Sequence, residues 1–83
     1  MKLVVCAVRD SAVDAFMRPI FVPSTGVAVR SFRDEVLRAE SDMFRHASDY
    51  ELFEIASYDE ESGRFENLSS PRSLVRGADI KES

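Results

Sequence analysis

The 83-residue sequence predicts an α+β fold: a ββαββ chain with a four-stranded antiparallel sheet in the order 2-1-3-4 and one helix on one face. Three observations carry this. Lys2 to Arg9 (KLVVCAVR) is an apolar, β-branched run framed by charge, the pattern of a strand buried on both faces. Residues 24–40 space their apolar side chains at the helical period. Tyr50 to Tyr58 (YELFEIASY) alternates as a strand does.

The elements follow in order. The first strand is central. After the polar break at Asp10-Ser11, Phe16 to Val22 (FMRPIFV) favours a second strand, in which Pro19 has no N–H to donate and so marks an edge or a bulge. Pro23-Ser24-Thr25-Gly26 reads as a helix start, with a hydroxyl at Ser24 or Thr25 to cap a free N–H of the first turn. The helix is expected to run to Ala39 or Glu40. Its Ala28, Val29, Phe32, Val36 and Ala39 share one face, and Arg30, Asp34 and Arg38 lie opposite. Glu40 to Asp49 is a polar connector whose Met43 and Phe44 tuck under the sheet. Asp59-Glu60-Glu61-Ser62-Gly63 is a turn in which Gly63 supplies a positive φ, closing a hairpin onto a fourth strand, Arg64 to Leu68. Residues 1–68 are thus expected to form one compact domain, and 69–83 a weakly patterned, partly mobile C-terminal segment.

One helix covers one sheet face, yet the first strand is apolar on both parities, Leu3, Val5 and Ala7 against Val4, Cys6 and Val8. The uncovered face is expected to expose apolar area, for which a second subunit, giving a homodimer, is the simplest cover. A chain this small has a limited core, and it has one cysteine and one histidine, so neither an internal disulfide nor a zinc centre supports it. The longest apolar run, Leu3 to Val8, is far short of the ~20 residues that span a bilayer and carries no signal-peptide pattern, so a soluble protein without a membrane partner is expected.

The search for catalytic motifs finds none: Gly26, Gly63 and Gly77 are too scattered for a phosphate loop, and no nucleophile elbow or paired-histidine motif is present. No enzyme activity, catalytic residue, metal or cofactor is expected. His46 reads as a solvated or capping residue, Cys6 as a small hydrophobe with a raised pKa, and Asp59, Glu60 and Glu61 as a solvated turn rather than a calcium loop. The charge pattern is more informative. The net charge is −4, but residues 1–33 carry five basic and two acidic side chains while residues 49–66 carry seven acidic and one basic. Nine of the eleven basic residues are arginine, which suits bidentate contact to phosphate or carboxylate. Single-stranded nucleic acid is held by arginines that follow phosphate and rings that stack on bases. Arg9, Arg18, Arg30 and Arg33 in the positive half are the phosphate candidates, and Tyr50 and Tyr58 the stacking candidates; Phe32, Phe53 and Phe65 occupy core-like positions.

The whole-chain pattern resembles a known family. The A-V-R-D of Ala7 to Asp10, the G-x-A-x-R-x-F-x-D of Gly26 to Asp34, the D-Y-x-L-F-E-I of Asp49 to Ile55, the D-x-x-S-G-x-F of Asp59 to Phe65 and Pro71-Arg72-Ser73-Leu74 are similar to the small nonstructural protein of the gokushoviruses, microvirus-group phages with single-stranded DNA genomes. The similarity spans residues 2–75 and departs at Ala56, where glycine is common, and at Ile20, where an aromatic often follows the proline. It implies a non-virion accessory protein of the infected bacterial cytoplasm, acting in viral DNA replication or single-stranded genome synthesis, with no catalytic residues to carry over. Two readings of function follow: a dimer that binds single-stranded DNA, or a protein-interaction module that docks on the replication initiator, the procapsid or a host factor.

Overall fold

The computed structural model describes residues 1–82; Ser83, the last residue of the predicted C-terminal segment, lies outside the described residues. Five strands form one antiparallel sheet: β1 (Lys2–Asp10), β2 (Ala15–Phe16), β3 (Ile20–Val22), β4 (Tyr50–Asp59) and β5 (Arg64–Arg76). Three α-helices accompany them, α1 (Thr25–Leu37), α2 (Asp42–Arg45) and α3 (Gly77–Glu82), with a 3-10 turn at Ala47–Asp49. No helix among the described residues is long and apolar enough to cross a membrane.

The α+β class and the central place of β1 agree with the sequence pattern, while the expected four-strand order and single helix are corrected. The order is β2-β1-β4-β5, with β3 also on β1. Pro19 is the reason: it has no N–H for a ladder, so the expected second strand divides into β2 opposite Arg9–Asp10 and β3 opposite Val4–Cys6. The link between them stays close, for the Met17 N–H donates to the Val8 carbonyl at 2.7 Å.

The extra helices have equally local causes. Ser24 caps α1 as expected, its hydroxyl accepting the Val27 N–H at 3.4 Å. The helix stops at Leu37, short of Ala39, because Ser41 turns the chain. Its hydroxyl donates to the Glu35 carbonyl at 2.6 Å, satisfying a carbonyl of the last turn, and accepts the Phe44 N–H at 3.0 Å as the N-cap of α2. One side chain therefore ends one helix and begins the next, and Ser41 is the buried polar residue of the fold, 3% exposed. The connector places Met43 against the core and leaves Phe44 half-buried beneath the Lys81 ammonium, 3.3 Å from the ring centroid.

The C-terminal segment, where the strand was expected to end at Leu68, continues as β5 to Arg76 and then as α3. Val75 pairs with Leu52 and Arg72 with Glu54, whose carboxylate the Arg72 guanidinium also engages. Gly77 then lets the chain pass over the 3-10 turn: a Cβ there would lie 2.3 Å from the Ala47 carbonyl oxygen. This close approach seats Ile80 in the core, 4% exposed. The hairpin joining β4 to β5 forms as expected, with Gly63 at φ 72°.

The helices cover one face only. Cys6, Val22, Ala28, Phe32, Val36, Ala47, Leu52 and Ile80 form the core between sheet and helices, with Val4 and Val8 packed against it. Burial pushes the Cys6 thiol pKa up, the Glu54 carboxylate adds to this, and Arg72 opposes it, so the thiol is an inert core group.

Opposite outcomes are expected for two glycines. Gly77→Ala forces backbone against backbone and lowers stability by about 1–3 kcal/mol, whereas Gly26→Ala, whose nearest non-neighbouring atom is the Ser24 Oγ at 3.8 Å, raises it by roughly 0.5–1 kcal/mol through helix propensity. Urea midpoints of the two variants check both signs. Phe32→Ala, at a site 4% exposed, is expected to cost about 3–5 kcal/mol.

Candidate nucleic-acid interface

Alternation along the strands sends every second side chain away from the helices. On β1 these are Leu3, Val5, Ala7 and Arg9, since Val4, Cys6 and Val8 belong to the helix side. Cross-strand register extends the same face: Leu3 opposes Tyr58 and then Phe65, Val5 opposes Phe21 on one side and Ala56 and then Asn67 on the other, Ala7 opposes Phe53, and Arg9 lies between Phe16 and Glu51. The helix-free face is therefore paved with five rings: Phe16, Phe21, Phe53, Tyr58 and Phe65.

The rings fall into two groups. Phe16 and Phe53 meet edge to face at 5.5 Å between centroids. Phe21, Tyr58 and Phe65 form a triad, with Phe21 at 5.5 Å from Tyr58 and 5.9 Å from Phe65, and Tyr58 at 4.8 Å from Phe65. Contacts of this geometry hold the rings in place, at about 0.5–1.5 kcal/mol each. Small residues lie along the middle of the face: Val5 is 2%, Ala7 3% and Ala56 3% exposed although no helix covers them. The rings themselves are open to solvent, Phe16 by 44%, Phe21 by 46% and Phe65 by 56%. Phe65, expected in the core, is thus an exposed member of this face, and Phe53 belongs to it as well; only Phe32 of the three core-like phenylalanines lies in the helix-side core. The reason is register: Phe53 follows Leu52 by one residue and faces the other way, the irregularity between Glu54 and Ala56 brings Tyr58 and its partner Phe65 onto the same face as Phe53, and Tyr50, two residues before Leu52, stays on the helix side.

The expected site residues are divided between the two faces. Arg9 and Tyr58 come together on the open face. Arg9 is ion-paired with Asp14, which holds a left-handed backbone at φ 56°, a region that aspartate tolerates in a tight turn. Tyr50 is on the helix side, packed against the core, where burial and then the carboxylates of Asp10, Asp42 and Asp49 push its phenol pKa up. Arg30 and Arg33 are exposed on α1. Arg18 borders a groove of about 270 Å³ shared with Met17, Ile20, Phe32 and Met43. At 100° per residue, Arg30 and Arg33 share one flank of α1 and lie away from the Ser31–Glu35 side that faces Arg18, so the three arginines form no single surface, and none of them joins the rings on the other side of the sheet. Sequence inspection missed Arg76, which stands across Glu51 from Arg9 on the open face and makes no salt bridge among the described residues. The ends of the ladder also differ in character. Arg9 and Arg76 flank Glu51 at one end, and the acidic turn of Glu60 and Glu61 closes the other, where Glu61 pairs with the N-terminal ammonium at 3.5 Å.

Fold and face together define a small α+β protein whose antiparallel sheet is packed by helices on one side and presents aromatic rings on the other. The phage ORF5 protein family matches residues 3–80, and the chain belongs to that family of phage proteins. No curated protein and no solved structure matches it.

A purely structural role for the rings is separable from exposure. Phe65→Ala is expected to cost about 1–3 kcal/mol, the worth of its two ring contacts, against about 3–5 kcal/mol for Phe32→Ala. Equal urea midpoints for the two variants would place Phe65 in a core.

Proposed function

We propose that this phage protein binds single-stranded nucleic acid, its phage's single-stranded DNA in the first instance, by stacking unpaired bases on the open sheet face while Arg9 and Arg76 meet the phosphates at its edge. The exposed aromatic pavement carries the reading. A duplex hides the faces of its bases within the stack, so rings displayed on a sheet are of use to unpaired bases, and stacking on aromatics tolerates any sequence because every base has a π face. Arg9 stands beside Phe16, so a phosphate at Arg9 leaves the attached base within reach of the first ring group. The similarity to gokushovirus nonstructural proteins supports the same role: a non-virion protein of the infected cell's cytoplasm that accompanies viral DNA replication or single-stranded genome synthesis.

A second reading, that the same face is a docking surface for protein, is favoured by its poverty in charge. Between Leu3 and Phe53 the face carries no charge, its charged groups gather at the Arg9–Glu51–Arg76 end, and the chain is acidic overall, with a net charge of −4. A homodimer, or a complex with the replication initiator, the procapsid or a host factor, would cover it.

Fluorescence anisotropy of a labelled oligothymidylate, titrated at increasing salt, separates the two. The nucleic-acid reading expects affinity to fall with salt, and expects Arg9→Gln to flatten the slope of log K against log salt by about 0.7. Phe53→Ala and Tyr58→Ala are each expected to weaken binding by about 1–3 kcal/mol. Arg30→Gln and Arg33→Gln, on the far side, leave it unchanged. Undetectable binding at low salt, together with a dimer mass by light scattering, would transfer the face to the protein-docking reading.

A further inference from the structure

The two edges of the sheet are unlike. On one side β2 and β3, of two and three residues, share the border of β1 and are parted at Pro19. On the other, β5 runs for 13 residues with β4 as its neighbour and no further strand beyond it among the described residues. Arg64 to Ser73 are exposed throughout, so no helix covers this border. Such an edge presents unpaired backbone N–H and C=O groups, a template for another strand. Leu68–Pro71 interrupt it: Asn67 pairs with Ala56 and Arg72 with Glu54, which leaves these four residues opposite Ile55 alone. A regular outer ladder is therefore open at Arg64–Asn67, next to the hairpin, and at Arg72–Arg76, where the chain enters α3.

We infer that β5 is a self-docking edge, on which a second copy of this chain pairs antiparallel at Arg64–Asn67 about a twofold axis through Phe65. The charges choose the register. An antiparallel pair needs an axis normal to the sheet, which keeps both open faces on one side and passes through a single residue of each β5. Centred on Arg64 or on Glu66, it would set two guanidiniums or two carboxylates directly opposite; centred on Asn67, it runs into the interruption. Pairing the whole of Arg72–Arg76 sets Arg72 opposite the second copy's Arg76. Centred on Phe65, Arg64 of each copy stands opposite Glu66 of the other, an attractive pair made twice. Arg64 makes no salt bridge among the described residues, its neighbour Asp59 being held in the turn by the Glu61 N–H, and Glu66 has the Lys2 ammonium at 3.9 Å. Each acidic turn then lies beside the uncharged Asn67 and Leu68 of the other copy. Phe65, an exposed ring at the border of the pavement, meets its own counterpart across the axis. This dimer widens the aromatic face instead of covering it, joining the Phe21, Tyr58 and Phe65 triads of two copies, and it does not depend on what that face binds. A ladder this short is a small interface, so the dimer is expected to dissociate on dilution.

Sedimentation equilibrium of the whole protein from micromolar to millimolar concentration, with Arg64→Glu and Glu66→Arg alongside the parent, is the test. The parent is expected to pass from one-chain to two-chain mass across this range. Each substitution turns both attractive pairs into like-charge pairs and is expected to raise the dissociation constant by roughly tenfold or more. Mixing the two variants in equal amounts sets opposite charges across the axis again, and the mixture is expected to associate as the parent does. A parent of one-chain mass at every concentration overturns the inference, as does association that both substitutions leave unchanged or that mixing fails to restore. Association unmoved by the charges but lost in Phe53→Ala assigns the dimer to burial of the open face instead.

Discussion

Beta1 is apolar on both faces, and the chain supplies helices for only one. From this imbalance the rest of the structure follows. Val4, Cys6 and Val8 are sealed beneath α1, α2 and α3 together with Phe32, Val36, Leu52 and Ile80. Val5 and Ala7 must be kept from water by something else, and on the helix-free side the available cover is aromatic. Rings serve this purpose because each spreads a large apolar area from a single backbone position, and edge-to-face contacts let neighbours support one another. The same choice leaves half of several rings in solvent. A surface that stabilises the fold of the single chain therefore remains open to a further planar or apolar partner.

Geometry keeps the rings of this face apart from the acidic turn and from the charged pair of the helix side. Acidic side chains are concentrated in the β4–β5 half, but the turn at Glu60 and Glu61 projects from the end of the ladder rather than across the rings. Asp59, whose carboxylate accepts the Glu61 N–H at 3.0 Å, has its pKa lowered by that backbone hydrogen bond and is held within the turn. On the helix side, Glu54 and Arg72 face each other beside Cys6, so the charged pair and the thiol share the packed face while the rings occupy the other.

Two small residues join the parts. Ser41 ends α1 and begins α2 through one hydroxyl, and Gly77 lets β5 turn into α3 against the Ala47 carbonyl. Neither position is conspicuous in sequence. A serine in a polar connector and a glycine in a weakly patterned tail are common, and both matter here because of backbone groups that approach them from elsewhere in the chain. Between them they convert what reads as loop and tail into a helical layer wide enough to cover the sheet.

The sequence by itself determined the α+β class, the central strand, the helix with Ser24 as its cap and Phe32 at its buried centre, the β4 strand and the positive φ of Gly63, because each of these depends on local pattern: alternation, helical period, capping and turn chemistry. It also pointed to an apolar face that one helical layer would leave bare. Tertiary structure decided what depends on pairing between distant residues. The division of the second strand by Pro19, the extension of β5 to Arg76, and the break in pairing opposite Ile55 that puts Phe53 and Phe65 with Phe16, Phe21 and Tyr58 are all matters of register, and one residue of slippage exchanges the faces of a strand. Register likewise separates Tyr50 from Arg9 and Tyr58, and the packing of α1 on the other side of the sheet takes Arg18, Arg30 and Arg33 away from them, so the six residues expected at one site are divided. Side-chain type is written along the chain, but which side of the sheet it faces is set only when the strands meet.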